Sequence, residues 1–231
     1  MNWIQEYWYD FVNLFYPNRC KACGVDLQKG EEQLCIACRV DLPLSDYWKQ
    51  KDNPIEQLFW GRVNIEFASS LMIFRKASPY RHLIHLLKYQ GDEDVGIYLG
   101  EIFAKKIQKE SLYAKIDYII PVPLHPKKKK KRGYNQSDCI AKGLSKVLQV
   151  PYRTDLLIRT INTSTQTKKN KEERWTNVSG IFKLKSKEEL QDKHILLVDD
   201  VITTGATIES CIVALQECVK VKISIASLAR A

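Results

Sequence analysis

No apolar run in the 231 residues approaches the roughly 18 to 20 positions that a membrane-spanning helix needs. The aromatic lead-in, residues 1–16, carries Trp3, Trp8, Phe11 and Phe15, but Glu6 and Asp10 interrupt it. It also lacks the basic start and small-residue cleavage site of a secretory signal, so it reads as a segment docked on the protein's own core. Cytoplasmic residence is the expectation. Internal repeats are missing, and one lysine run is the only low-complexity tract. Acids are in short supply, 27 against 36 Lys plus Arg, for a net charge of +9. That balance suits an anionic partner, nucleic acid or a phosphorylated metabolite, and it equally suits a plain basic surface. Hydrophobic and charged fractions of 45% and 27% are ordinary for a globular chain. The length allows one mid-sized α/β domain with a real core plus a small module, without disulfide support.

Four of the seven cysteines form two Cys-x-x-Cys knuckles, Cys20 with Cys23 and Cys35 with Cys38, eleven residues apart. Four thiolates so spaced suit tetrahedral Zn²⁺ in a closed, structural site. An iron–sulfur cluster takes the same donor set, and a disulfide pair or redox dithiol is the other alternative. Cys139, Cys211 and Cys218 sit among apolar residues and read as core.

The chain divides into residues 1–45 (lead-in and zinc module), a 46–62 connector, and a 63–231 domain in which strand and helix signals alternate. Such alternation predicts an α/β fold with a parallel-rich sheet flanked by helices. Strands are predicted over 63–74, 116–122, 194–198 and 222–228. Helices are predicted over 79–89, 95–108, 136–148 and 207–218.

The most informative segment is 194–207, four apolar residues followed by Asp199-Asp200 and then a Thr/Gly loop opening a helix. The loop offers backbone N–H groups, a helix N-terminus and the hydroxyls of Thr203, Thr204 and Thr207, with Gly205 permitting close approach. These suit a phosphate dianion. The two acids suit vicinal hydroxyls or a hydrated Mg²⁺. A sugar phosphate satisfies both halves. No Lys-Ser/Thr pair follows Gly205, which excludes a Walker A loop.

Residues 195–207 closely resemble the phosphoribosyl-pyrophosphate signature of type I phosphoribosyltransferases. Further shared motifs are Pro17-Asn-Arg-Cys20 through Cys38, Leu87-Lys88-Tyr89, Pro121-Val-Pro-Leu-His125, Arg132-Gly-Tyr-Asn-Gln136 and Gln166 through Asn177. With them the chain is identified as a member of the ComF family of competence-associated proteins. The resemblance implies that Asp199 and Asp200 hold the ribose hydroxyls and Mg²⁺ of 5-phosphoribosyl-1-pyrophosphate (PRPP). Thr203, Thr204, Gly205, Ala206 and Thr207 would hold its 5′-phosphate. Leu124 and His125 would form the pyrophosphate loop, and residues 163–174 a mobile loop over the site.

Residues 160–177 are polar without apolar period, which fits a lid or plain filler, with Lys168, Lys169 and Arg174 as candidates to neutralise pyrophosphate. The basic run Lys127, Lys128, Lys129, Lys130, Lys131 and Arg132 is either a solvated loop or a polyanion contact. The family's link to DNA uptake favours single-stranded DNA, with Tyr134 offering base stacking, and other competence proteins as partners. The alternative is an active phosphoribosyltransferase of nucleobase or nucleotide metabolism, salvage or amidophosphoribosyltransferase-like. In that case a nucleophile displaces pyrophosphate from ribose C1 while the lid excludes water.

Overall fold

The computed structural model describes residues 17–74, 78, 80–161 and 180–231. The expectations for the aromatic lead-in and for the loop bearing Lys168, Lys169 and Arg174 fall outside these residues. At the centre lies a four-stranded sheet in the order β1-β6-β5-β2, every pair parallel. Its strands are β1 (Phe67–Ile73), β2 (Tyr118–Pro121), β5 (His194–Ile202) and β6 (Lys222–Arg230). β3 (Leu157–Arg159) and β4 (Phe182–Leu184) form a separate antiparallel ribbon.

The near-continuous hydrophobic runs of β5 and β6 follow from burial on both faces. Leu196 and Val198 face one cluster, with α2 (Arg81–His85), α3 (Glu93–Ile107) and α5 (Gln136–Leu148). Ile195 and Leu197 face the other, with α6 (Ala206–Leu215) and Phe182 of the ribbon. α2 continues as a π-helical turn, Leu86–Gln90, which ends at Gly91 in the left-handed region (φ +74°).

The cysteine module, which includes the short first helix α1 (Ile36–Val40), packs on the first cluster, where Cys20, Leu34, Cys35 and Leu42 join the main core. The Tyr80 hydroxyl donates to the Cys38 carbonyl and to Asp41, both at 3.2 Å, and Lys21 pairs with Asp92 at 2.7 Å. Residues 46–62 are a packed strap rather than a loose tether. Trp48, Ile55 and Phe59 are fully buried, and the Asn53 side-chain amide donates to the Ala68 carbonyl of β1 at 2.8 Å. The buried Glu56 carboxylate accepts from the Asp52 and Ala68 amides at 2.7 and 3.3 Å.

The basic run is helical, forming α4 (Pro126–Arg132), not a loop. His125 Nδ1 caps it by accepting from the Lys127 N–H at 3.2 Å, Pro126 suits the first helical position, and Gly133 ends it at φ +86°. Lysine is a good helix former once these stops are in place.

α3 and α5 cross so closely that a Cβ at Gly143 would collide with the Ile97 carbonyl. Gly143→Ala is therefore expected to cost about 3 kcal/mol by overpacking. Urea unfolding of variant and wild type measures it, and an unchanged midpoint would contradict the close crossing.

Candidate functional site

β5 runs further than the sequence suggests, to Ile202 rather than Val198, so the acid pair lies inside the strand. The extension has one-sided support. β6 stays paired out to Ile202↔Arg230, whereas β2 pairing stops at Pro121↔Val198, followed by one bond from the Val122 amide to the Val198 carbonyl at 2.8 Å. Pro123 has no N–H to continue the ladder. Asp199 and Asp200 therefore project just past the end of β2, at the carboxyl edge where open α/β sheets hold ligands.

Both acids are half-buried. Asp199 accepts from its neighbour's amide at 2.9 Å and from the Ser137 hydroxyl at 3.1 Å, and Asp200 pairs with Lys88 Nζ at 3.1 Å. Burial and the adjacent Asp200 carboxylate push Asp199 up to about 7, against these two hydrogen bonds and the Lys88 charge, which favour ionisation.

Residues 203–207 follow at once. Gly205 sits at φ +78° as the N-cap of α6, and a Cβ there would also strike the Phe59 ring. Thr203, Thr204, Ala206 and Thr207 are exposed. Among the described residues, no backbone acceptor outside the helix is seen for the amides of 203–207, and all of these residues but the buried Gly205 are exposed at the positive end of α6. The strap braces this loop, because Arg62 donates to the Thr204 carbonyl at 3.1 Å and pairs with Glu209. The brace could not be read from the sequence, since Arg62 and Thr204 are 142 positions apart.

Leu124 opens on a small cavity of about 130 Å³ shared with Lys129, Asn135 and Arg159. His125, its neighbour, is engaged as the α4 cap. Arg159, at the root of the ribbon, lies within electrostatic reach of Asp199 and Lys128, and burial pushes its guanidinium below the usual arginine range. It brings a cation to the expected pyrophosphate position that motif reading overlooked, because one arginine in a three-residue strand carries no pattern. Of the basic helix, Lys129 pairs with Asp138 at 3.2 Å and Arg132 donates to Gln136 at 2.9 Å. Tyr134 does not offer a stacking face. It is buried, and its hydroxyl donates to the Leu87 carbonyl. The exposed ring is Tyr89, with the Arg132 guanidinium 5.7 Å from its centroid.

At the far side of the first cluster, the sulfurs of Cys20, Cys23, Cys35 and Cys38 lie within 4.8 Å of one another, and all four are free thiols. Four sulfurs at about 2.3 Å from one ion are about 3.8 Å apart, and Cys23 and Cys35 are separated by 3.8 Å. Burial opposes ionisation of Cys20, but amide hydrogen bonds led by Cys35 N–H at 3.3 Å outweigh it and hold the thiol near 6. The donor set fits one metal ion. Cys139, Cys211 and Cys218 are buried, as core cysteines should be.

Residues 137–231 match the phosphoribosyl transferase domain family. With the parallel sheet and the acid pair at its edge, that match defines the class: a type I phosphoribosyltransferase fold. DNA utilization protein YhgH of Escherichia coli O157:H7 is 31% identical over 216 residues, covering 84% of this chain and 89% of that one. Competence protein F of Haemophilus influenzae is 28% identical over 229 residues, 94% and 99% of the two chains. Competence protein ComFC of Bacillus subtilis is 28% identical over 200 residues, 82% and 74%. This chain belongs to the ComF family. A glutamine PRPP amidotransferase from B. subtilis aligns with a TM-score of 0.45 at 17% identity, over 63% of this chain and 30% of that one.

The raised Asp199 pKa has a defined sign. The folded state holds the proton more tightly than the unfolded chain, so this contribution to stability is present below the ordinary carboxylate range and is lost as pH rises through about 7. In Mg²⁺-free buffer, Asp199→Asn should melt about 2–4 °C above wild type at pH 8, with the gap closing toward pH 4. Melting curves that stay parallel from pH 4 to 8 would refute the shift.

Proposed function

We propose that this chain binds PRPP with Mg²⁺ and serves DNA uptake, touching single-stranded DNA through α4. The observation that carries the sugar site is the juxtaposition at the end of β5. Two half-buried carboxylates stand next to a largely exposed Thr/Gly loop at the N-terminus of α6. Asp199 and Asp200 take the ribose diol, the 203–207 loop takes the 5′-phosphate, and Leu124 with Arg159 borders the pyrophosphate. Mg²⁺, when bound by the acid pair, supplies charge neutralisation for the pyrophosphate. The protein's own part is positioning. Ser137 and the Asp200 amide aim the Asp199 carboxylate, the strap holds the loop, and Lys88 balances Asp200 before ligand arrives. His125 supports this arrangement from the helix cap.

The relatives' names, competence protein and DNA utilization protein, support the DNA role. So does α4, whose six consecutive cations lie on an exposed to half-exposed helix. Zn²⁺ is the metal proposed for the four thiols, as a staple that binds the module's two knuckles into the shared core. The domain reading follows: a zinc module through residue 45, a 46–62 strap, and the phosphoribosyltransferase-like domain from 63 onward.

In titration calorimetry, wild type should bind PRPP in the presence of Mg²⁺, and a double Asp199→Ala, Asp200→Ala variant with a native circular dichroism spectrum should not. Wild-type affinity in that variant would overturn the site. Elemental analysis should find one zinc per chain, and Cys38→Ser should lose it together with a melting temperature many degrees lower. A variant without metal that melts like wild type would rule out the staple.

A further inference from the structure

The surface between the π turn and α4 holds a cavity of about 390 Å³, lined by Lys88, Tyr89, Lys128, Lys131, Arg132 and Tyr134. None of its lining side chains is acidic. Lys128, Lys131 and Arg132 join Lys88 in that lining, which supplies no carboxylate to offset their mutual repulsion. Lys128 registers that crowding, because burial and then the Arg159 and Arg132 charges push its ammonium down. The fifth wall is a flat aromatic surface. Tyr89 is 67% exposed, an unusual position for a ring that could pack inward. It is held in place on its own helix, with the His85 ring 4.9 Å away and His82 stacked on His85 at 6.2 Å. The Arg132 guanidinium already lies against Tyr89, so this ring accepts a planar partner. The cavity also adjoins the acid pair. Lys88 lines it and simultaneously contacts Asp200 at 3.1 Å.

We propose that this cavity is a nucleotide subsite: a base stacks on Tyr89, and its phosphate is held by Lys128, Lys131 and Arg132. The inference rests on the DNA-contact reading above and deepens it by naming the stacking residue and the phosphate ligands. A base on Tyr89 displaces the Arg132 guanidinium toward the phosphate, where it joins the two lysines. The required chemistry is a nucleobase bearing a phosphate, whether a free mononucleotide or one residue of a single strand. Through Lys88, occupancy of this subsite bears directly on Asp200. The nucleotide and the sugar site are therefore neighbours that share one cation.

The test uses the full chain, with dAMP in calorimetry and labelled oligo(dT) of increasing length in fluorescence anisotropy. Tyr89→Ala should weaken binding about 5- to 100-fold, the range expected for one stacked base, while Tyr89→Phe keeps the ring and retains affinity. An unchanged melting temperature certifies the fold, as Tyr89 is exposed. Binding of dAMP with this mutational pattern identifies a mononucleotide site, and the pattern in oligonucleotides alone identifies a strand site; either supports the subsite. Equal affinities of wild type, Tyr89→Ala and Tyr89→Phe in both arms, or no binding of either ligand by wild type, would overturn it. Replacing Lys127 and Lys130, which lie on α4 outside the cavity lining, by Ala separates the two levels. If that variant loses salt-dependent DNA binding while Tyr89→Ala does not, the DNA contact stands and the stacking site falls.

Discussion

The site depends on one mismatch in strand length. β5 and β6 remain hydrogen-bonded for nine residues each, while β2 stops after four, at a Pro-Val-Pro sequence that cannot extend the ladder. Had β2 continued, its backbone would fill the position beside Asp199 and Asp200, and the acids would be enclosed by a neighbouring strand. Because it stops, both carboxylates gain an open edge on one side and rigid support from β6 on the other. The chain leaving β2 then turns into α4, so the same termination that exposes the acids delivers the cations. Anionic and cationic groups thus meet at one sheet edge through backbone geometry rather than through direct attraction.

Rigidity at that edge is imported from elements distant in sequence. The strap over residues 46–62 lies across β1 and reaches the 203–207 loop, where Phe59 closes the space above Gly205 and Arg62 grips the Thr204 carbonyl. On the other side Ser137, in the first turn of α5, fixes the Asp199 carboxylate. α5 is in turn locked against α3 by the glycine crossing, and α3 and the cysteine module share a core. The four-cysteine module, which makes no direct contact with the acids among the described hydrogen bonds and ion pairs, therefore bears on them through packing.

What the sequence made legible was whatever local pattern encodes. The apolar run, acid pair and Thr/Gly loop of 194–207 are consecutive, so strand, acid pair and helix start could be read together. The four cysteines declare themselves by spacing alone. The helices over 95–108 and 136–148 were found within two residues because their apolar period is strong. The remainder depends on tertiary contacts. Nothing local distinguishes a loop of lysines from the capped helix α4, whose stops lie in His125, Pro126 and Gly133. The choice between Tyr89 and Tyr134 is of the same kind. Both flank basic or glycine-rich segments, and only the approach of the π turn's Leu87 carbonyl to the segment before α5 decides that Tyr134 spends its hydroxyl inward while Tyr89 stays outside.

Lys88 carries the tension in the site. Two adjacent carboxylates at a half-buried edge repel each other, and Asp199 answers by holding its proton toward neutral pH while Asp200 takes the ammonium of Lys88. A divalent ion would satisfy both acids more fully than a proton and one lysine can, and its arrival would release Lys88 into the cavity it already lines. That cavity is crowded with like charges and lacks an acid, so a released ammonium raises its demand for an anion. Release of Lys88 would therefore make cation binding on one side and anion binding on the other favour each other, and linkage makes that coupling reciprocal.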